Sequence, residues 1–269
     1  MKKILVITAT LGNRSTLQRT IDSVRMIGGE YVKHVIVAPQ KQIPSIKEKY
    51  GNIECLAELE GKKGIYAALN HGFNTYGHDY EYMTFINDDD YWLPDFKILI
   101  DAIINCDLDL VYARTKYVDK NGKYLSEQTC SDRFDDFIAL LNSKIVLFTQ
   151  QATIIRSKWF FKLNGFDESC KIVADSKFWA LLSLEVIKFK YFNCCCAAYT
   201  IQAGQLSSDR DTQAKERIRM MMELPQIPFY QIKLAKIRFR LTNINIYVKR
   251  MLQRRCVLNP FVEDRGKNQ

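Results

Sequence analysis

Residues 85–95 read FINDDDYWLPD, and this stretch decides both the fold class and the expected place of a functional site. An apolar run over 82–86 passes almost directly into three carboxylates, Asp88, Asp89 and Asp90. A short apolar run of this kind is typical of a buried strand. Ligands of open α/β sheets bind beyond the carboxyl ends of the strands, so the acidic triplet stands where a site is expected.

Apolar runs and helix-like segments alternate outward from this stretch. The predicted strands are residues 4–8, 35–37, 82–86 and 108–113, and the predicted helices are residues 15–27, 64–76 and a segment that starts at Pro94. Ser15 suits a helix N-cap, and Pro94 suits the first helical position. The alternation predicts βαβ units, and therefore an α/β fold with a mostly parallel sheet.

The pattern changes in the second half of the chain. Asn121-Gly122 lies between short extended arms, which predicts a β-hairpin. The other predicted segments are helices over 132–141 and 175–184 and strands over 152–155 and 186–200. Beyond about residue 204 the chain reads as helical and basic. We therefore expect a first domain over 1–205 and a C-terminal helical extension over 206–269.

Composition excludes several classes of protein. The chain has 269 residues, of which 47% are hydrophobic and 26% charged, so it has enough apolar side chain to build a core. No apolar stretch is long enough to cross a membrane, and the apolar run at the N-terminus is too short for an export signal. With three histidines and no CxxC pair, a His-rich zinc site is excluded. A reducing cytoplasm is the expected location.

The net charge of +9 is concentrated near the C-terminus. Between Leu224 and Val262 there is no acidic residue, and the basic residues there are Lys233, Lys236, Arg238, Arg240, Lys249, Arg250, Arg254 and Arg255. The rest of the chain is nearly neutral, which argues against a nucleic-acid partner. In this segment, cationic and apolar residues are mixed at helical spacing. The pattern predicts helices that make peripheral contact with the anionic inner face of the cell membrane without crossing it. Helices that pack on the first domain and leave their lysines in water explain the pattern equally well.

The acidic triplet has a chemical and a structural explanation. Three neighbouring carboxylates raise one another's pKa unless a cation lies among them. A hard divalent ion such as Mn²⁺ or Mg²⁺ relieves this repulsion and can hold a diphosphate. The alternative is a solvated acidic turn that caps the helix starting near Pro94.

Four segments in order resemble the inverting GT-A glycosyltransferases of family 2, over roughly residues 3–200. The segments are ITAT with Asn13-Arg14, GIYAALNHG over 64–72, the stretch 85–95 with its DxD-type motif, and QQA over 150–152 followed by GFDE over 165–168 and Ala174-Asp175. The resemblance implies a GT-A (Rossmann-like) fold that binds a nucleotide-sugar donor. It also implies a glycan or lipid-linked acceptor and a place in bacterial polysaccharide or lipopolysaccharide synthesis.

The same resemblance implies roles for individual residues. Asp89 would be the metal ligand with Asp90 as a further contributor, and Asp88 would face the donor ribose or the water shell of the metal. Asp175 would be the general base, although a helix N-cap carboxylate is the alternative. The implied nucleotide-sugar contacts are Thr8, Thr10, Arg14, Asn70 and Gln151.

Several positions depart from the family pattern. Ala9, Ala67 and Ala174 replace a Pro and two acids, and Gln150 stands where His is common. The second strand ends in Ala38-Pro39-Gln40, where many members carry an Asp that reads the uracil ring, so the donor base stays open. Two alternatives to a metal-dependent transferase follow: a catalytically silent GT-A-like subunit that docks a membrane or partner, and a sugar nucleotidyltransferase.

Overall fold

The computed structural model describes residues 3–202 and 205–254, and a nine-stranded sheet forms the centre of this region. The strands are β1 (Ile4–Ala9), β2 (Val32–Ala38), β3 (Glu54–Ala57), β4 (Tyr82–Phe85), β5 (Tyr91–Trp92), β6 (Leu110–Asp119), β7 (Tyr124–Glu127), β8 (Thr153–Arg156) and β9 (Phe189–Ile201). They lie in the order β3-β2-β1-β4-β8-β6-β9-β5, and β7 pairs with β6.

Most of these strands run in one direction. The neighbours β3, β2, β1 and β4 are mutually parallel, and β6 and β9 point the same way because β8 lies antiparallel between β4 and β6. Only the short strands β5, β7 and β8 run against them within the described residues. The predicted α/β fold with a mostly parallel sheet is thus confirmed.

Ten α-helices accompany the sheet in the described part of the chain. They are α1 (Leu17–Gly28), α2 (Ile43–Tyr50), α3 (Ile65–Tyr76), α4 (Phe96–Asn105), α5 (Phe137–Asn142), α6 (Ser157–Lys162), α7 (Ala174–Leu182), α8 (Arg210–Glu223), α9 (Phe229–Thr242) and α10 (Ile244–Arg254).

Both faces of β1 are buried, which explains its apolar run over residues 4–7. Leu5 and Ile7 belong to the core that includes α3, whereas Ile4 and Val6 belong to the core that includes α4. A Cβ at Gly72 of α3 would lie 3.0 Å from Ile7. The glycine therefore lets this helix pack close to the sheet.

Several boundaries differ from the sequence predictions. Thr16 rather than Ser15 occupies the N-cap of α1, and it makes no side-chain cap there. Asp95 holds the N-cap position of α4, so Pro94 precedes that helix instead of opening it. Helix α2, helix α6 and the edge strand β3 were not predicted. The Asn121-Gly122 hairpin between β6 and β7 is confirmed, with Gly122 at φ +83°.

The C-terminal helices share the main core. Met220, Leu224, Ala235 and Phe239 are buried together with residues of α5 and α7. The outward side chains remain exposed, and they include Tyr230, Lys233, Leu234, Ile237, Arg240 and Leu241. Within residues 3–202 and 205–254, no helix has the length and apolar character needed to cross a membrane. The predicted division at 205/206 stays a prediction, and Arg255 lies outside the described residues.

Candidate active site

The loop after β1 and the acidic stretch after β4 meet at the carboxyl edge of the sheet. Thr10 Oγ1 donates a 2.6 Å hydrogen bond to Asp88 Oδ2. The Arg14 guanidinium bridges two carboxylates, with Nε 3.4 Å from Asp88 Oδ1 and Nη1 2.5 Å from Asp89 Oδ2. Thr10 and Arg14 are distant in sequence from the acidic triplet, and they reach it because β1 and β4 are parallel neighbours in the sheet.

Asp88 is almost completely buried beneath this loop. Burial raises the pKa of its carboxyl, while the hydrogen bond from Thr10 and the charge of Arg14 act in the opposite direction. Its backbone carbonyl also accepts a 2.9 Å hydrogen bond from Thr16 Oγ1 at the start of α1. The side chain is thus held rigidly next to a cation.

One oxygen of Asp89 receives three donors. Besides Arg14, Gln202 Nε2 lies 2.9 Å and Gln205 Nε2 lies 3.0 Å from Asp89 Oδ2. These two glutamines were not predicted as site residues. Their signal in the sequence is their position just after β9, which ends at the same edge of the sheet as β4.

Asp90 points into the protein instead of joining its two neighbours. Its Oδ1 accepts from the backbone N–H of Thr200 at 2.8 Å, and its Oδ2 accepts from Gln151 Nε2 at 2.6 Å and Asn87 Nδ2 at 3.1 Å. Burial and the neighbouring Asp89 raise its pKa well above the usual range. Since both oxygens are occupied and the residue is 0% exposed, the geometry argues against Asp90 as a metal ligand.

Asp90 is therefore expected to stabilise the fold. Asp90→Ala leaves the three donors around it buried and unpaired, which should lower the free energy of unfolding by about 2–4 kcal/mol. Urea unfolding followed by circular dichroism measures the change. Asp101→Ala on the exposed side of α4 is the matched control, with an expected effect within about 0.5 kcal/mol. Equal stability of both variants would contradict the structural role.

The carboxylate oxygens of Asp88 and Asp89 are of the kind that binds a divalent metal ion. No cluster of three or more metal-binding side chains occurs in the described residues. Mg²⁺ and Mn²⁺ prefer oxygen ligands, and Mg²⁺ is commonly held by one or two carboxylates together with substrate phosphates. Asp88 and Asp89 supply such carboxylates, and Arg14, which pairs with both, would have to yield or share their oxygens when the ion binds. The pair matches a site completed by a diphosphate.

Thr8 and Asn70 are engaged inside the protein. Thr8 is fully buried, and its Oγ1 lies 3.0 Å from Nε2 of His34, whose pKa is lowered to about 3 by burial and nearby Arg25. Asn70 accepts from the backbone N–H of Phe166 and donates to its carbonyl oxygen, at 2.9 and 2.8 Å. Asn70 thereby fastens the 165–168 loop to α3. Nucleotide contact by either residue stays a prediction.

Asp175 lies in the first turn of α7 and is half-buried. Its Oδ1 accepts a 2.7 Å hydrogen bond from the backbone N–H of Ser176 and lies 3.3 Å from the Tyr66 hydroxyl. Burial raises its pKa to about 6, against the effect of these hydrogen bonds. Val173 is the N-cap of α7, so the N-cap interpretation of Asp175 is wrong.

Tyr66 places Asp175 at the same edge of the sheet as the acidic stretch. Helix α3 connects the end of β3 to the start of β4, so its first turn, which contains Tyr66, lies at the carboxyl edge. The Tyr66 hydroxyl also donates to the backbone carbonyl of Ile172 at 2.8 Å. Tyr66 was not predicted as a site residue, although it belongs to the GIYAALNHG segment.

Comparisons with known proteins agree with this architecture. The S. aureus TarS structure in complex with UDP-GlcNAc aligns with a TM-score of 0.64 at 17% identity, covering 94% of this chain and 76% of that one. Mannosyltransferase PcManGT from Pyrobaculum calidifontis, in complex with GDP-Man and Mn²⁺, aligns with a TM-score of 0.56 at 13% identity, covering 93% and 75%. These likenesses show the fold.

A third solved structure, glucosyl-3-phosphoglycerate synthase from Mycobacterium tuberculosis with UDP, aligns with a TM-score of 0.52 at 13% identity, covering 84% and 82% of the two chains. Comparison of the sequence with curated proteins gives no significant match. The family model described as glycosyl transferase family 2 matches residues 5–182, which is more than half of the chain. The chain therefore belongs to glycosyl transferase family 2.

Proposed function

We propose that this glycosyltransferase is metal-dependent and inverting, and that it moves a sugar from a nucleotide-sugar donor to a hydroxyl of a glycan or lipid-linked acceptor. The observation that carries the proposal is the arrangement of carboxylates at one edge of the sheet. Asp88 and Asp89 pair with the guanidinium of Arg14. Within the described residues, Asp175 has no such cationic partner among its hydrogen bonds, and burial raises its pKa. The two kinds of carboxylate suit two different tasks.

The first task is to stabilise a departing diphosphate. Asp89, with Asp88 beside it, would hold Mn²⁺ or Mg²⁺, which supplies Lewis-acid stabilisation of the leaving group when bound. Arg14 lies against both carboxylates and is 33% exposed, so its guanidinium is available to phosphate oxygens. Gln151 is 1% exposed and donates through Nε2 to the buried Asp90, so a donor contact by this side chain stays a prediction.

The second task is to deprotonate the acceptor hydroxyl. A direct inverting displacement needs one base on the face opposite the leaving group. Asp175 suits this role because its pKa of about 6 leaves it ionised at neutral pH yet more basic than an ordinary aspartate. Tyr66 and the backbone N–H of Ser176 both contact Oδ1, and these contacts orient the carboxylate.

A screen of donors tests the proposal. The full chain is incubated with Mn²⁺ and a panel of UDP-, GDP-, dTDP-, ADP- and CMP-linked sugars, and release of the nucleotide is measured. We expect turnover with at least one donor, and loss of that turnover in Asp89→Ala. If no donor of the panel is cleaved, the catalytically silent subunit becomes the better interpretation.

We also propose that the C-terminal helices contact an anionic membrane surface. Exposed apolar side chains of α9 and α10 lie among cations, with Leu241 at 65% and Leu252 at 81% exposure. Lys233 and Arg240 are exposed on the same helix, seven residues apart. Such a surface matches the negative charge and the apolar boundary of a bilayer, where a lipid-linked acceptor would be found.

Lys233→Gln combined with Arg240→Gln should weaken binding to anionic vesicles by about 2 kcal/mol, or roughly 30-fold, because each cation near such a surface contributes about 1 kcal/mol. Co-sedimentation with phosphatidylglycerol vesicles at low salt measures the change. The control removes two exposed cations from α2, by Lys47→Gln and Lys49→Gln. Equal loss in both variants, or equal binding to neutral vesicles, would contradict a specific lipid surface and favour an interface with protein.

A further inference from the structure

The segment just before Asp175 is held by a side chain from the C-terminal helices. Glu216 of α8 accepts three hydrogen bonds from successive backbone N–H groups, Lys171 at 2.7 Å, Ile172 at 2.9 Å and Val173 at 3.3 Å. No side chain of α7 itself caps that helix at its N-cap, Val173. The carboxylate of Glu216 thus satisfies the backbone donors that lead into α7.

The same segment is fixed from the opposite side by α3. The Tyr66 hydroxyl donates to the carbonyl oxygen of Ile172, while the N–H of Ile172 donates to Glu216. The backbone N–H and C=O of Ile172 are therefore held by α8 and α3, respectively. Tyr66 is also the residue whose hydroxyl lies 3.3 Å from Asp175.

Helix α8 is itself anchored to the protein, so Glu216 provides a fixed point. Met220 is buried in the main core, and Arg217 donates to the carbonyl oxygen of Leu141. Glu223, two turns further along α8, pairs with Lys177 of α7, which also lies 2.7 Å from Asp167. Helix α8 therefore contacts the chain on both sides of Asp175, at residues 171–173 before it and at Lys177 of α7 after it.

We propose that Glu216 is a positioning residue for the transfer reaction, which acts by fixing the 171–173 segment and with it the carboxylate of Asp175. This inference rests on the proposed role of Asp175 as the base. Proton transfer depends on geometry within hydrogen-bond reach, and a displacement of about 1 Å caused by a remote substitution can cost about 100-fold in rate. The C-terminal helices would then take part in catalysis without touching the substrate.

Glu216→Gln in the full chain is the test, since the side chain keeps its shape but loses its charge and presents an N–H group to the backbone donors. With the best donor of the panel, we expect kcat to fall about 10- to 100-fold and the donor KM to stay within about twofold. Lys215→Ala, on the neighbouring position of α8, is the control and should keep wild-type kcat. Faster hydrogen exchange at the amides of Ile172 and Val173 should accompany the loss.

A double-mutant cycle separates positioning from general stability. If Glu216 acts through Asp175, Glu216→Gln should cause almost no further loss of kcat in the Asp175→Asn background. The inference would be overturned if the double variant lost kcat by the product of the two single losses, or if Glu216→Gln kept kcat within twofold of wild type. Neither result would affect the assignment of Asp175 as the base. Wild-type turnover of Asp175→Asn alone would instead overturn the assignment of the base, which is a separate outcome.

Discussion

Asp175→Asn is expected to lower kcat by about 10²–10⁴-fold, which is the usual contribution of a positioned general base. The amide keeps the size of the side chain and can still accept the hydrogen bond from the backbone N–H of Ser176. It cannot take up the proton of the acceptor hydroxyl. The affinity for the donor should therefore change by less than about twofold, because the contacts proposed for the diphosphate lie with Asp88, Asp89 and Arg14.

Steady-state kinetics and donor titration by calorimetry measure the two quantities separately. Asp211→Asn, an exposed acid in the first turn of α8, is a matched control and should keep wild-type kcat. A loss below about threefold in Asp175→Asn would leave the carboxylate with a structural role only.

The pH dependence gives an independent check on the same residue. The carboxyl of Asp175 has a pKa raised to about 6 by burial, and only its ionised form accepts a proton. The kcat of the wild type should therefore be constant above this pH and fall by about tenfold per unit below it. The acidic limb should be absent from the residual activity of Asp175→Asn. An acidic limb near pH 4 in the wild type would instead indicate an ordinary, solvated carboxylate.

Asp89→Asn is expected to weaken Mn²⁺-dependent binding of the nucleoside diphosphate by at least about 100-fold, since the proposed metal loses its charged ligand. Binding without metal should change little or even improve, because Arg14 is then free to pair with the phosphates. Calorimetric titration of the diphosphate with and without Mn²⁺ measures this difference without any need for turnover. Retention of the full Mn²⁺ effect would show that Asp89 is not the ligand.

Asp107→Asn is the control for this titration. Asp107 precedes β6, at the edge of the sheet opposite the acidic stretch, and its carboxylate accepts hydrogen bonds from Arg156 and Lys188. Its substitution changes a hydrogen-bonded carboxylate at that other edge and should leave the Mn²⁺ effect unchanged. An equal loss in both variants would indicate a general effect on folding.

Long apolar runs made the centre of the fold predictable from the sequence. Strands β1 and β4 were placed within about one residue of their ends because both faces of these strands are buried. Strand β9 was placed within about three residues of its ends, although its first half is only partly buried. Strand β3 was missed because it lies at the edge of the sheet, where partial exposure allows the sequence Glu54–Ala57 to lack a clear apolar pattern. Helix α6, six residues long, is too short for helical periodicity to show.

The candidate site was only partly predictable for a different reason. Asp88, Asp89 and Asp90 are the same residue type, so the sequence cannot assign them different roles. The fold does so by turning the Asp90 side chain toward Gln151 and the backbone of Thr200. Glu216 carries no local signal at all, because its partners are backbone groups more than forty positions earlier. Contacts of this kind depend on how helices pack, which periodicity does not specify.

The shared core of α5 and α9 has a consequence for synthesis of the protein. The apolar surface of α5 and α7 is complete in the chain long before Ala235 and Phe239, which cover part of it. On the ribosome, this surface therefore stays open to water until α9 has left the exit tunnel. Exposed apolar surface on an unfinished domain promotes aggregation. The nascent chain is thus expected to need shielding by chaperones, and a premature stop before α9 should yield an insoluble product.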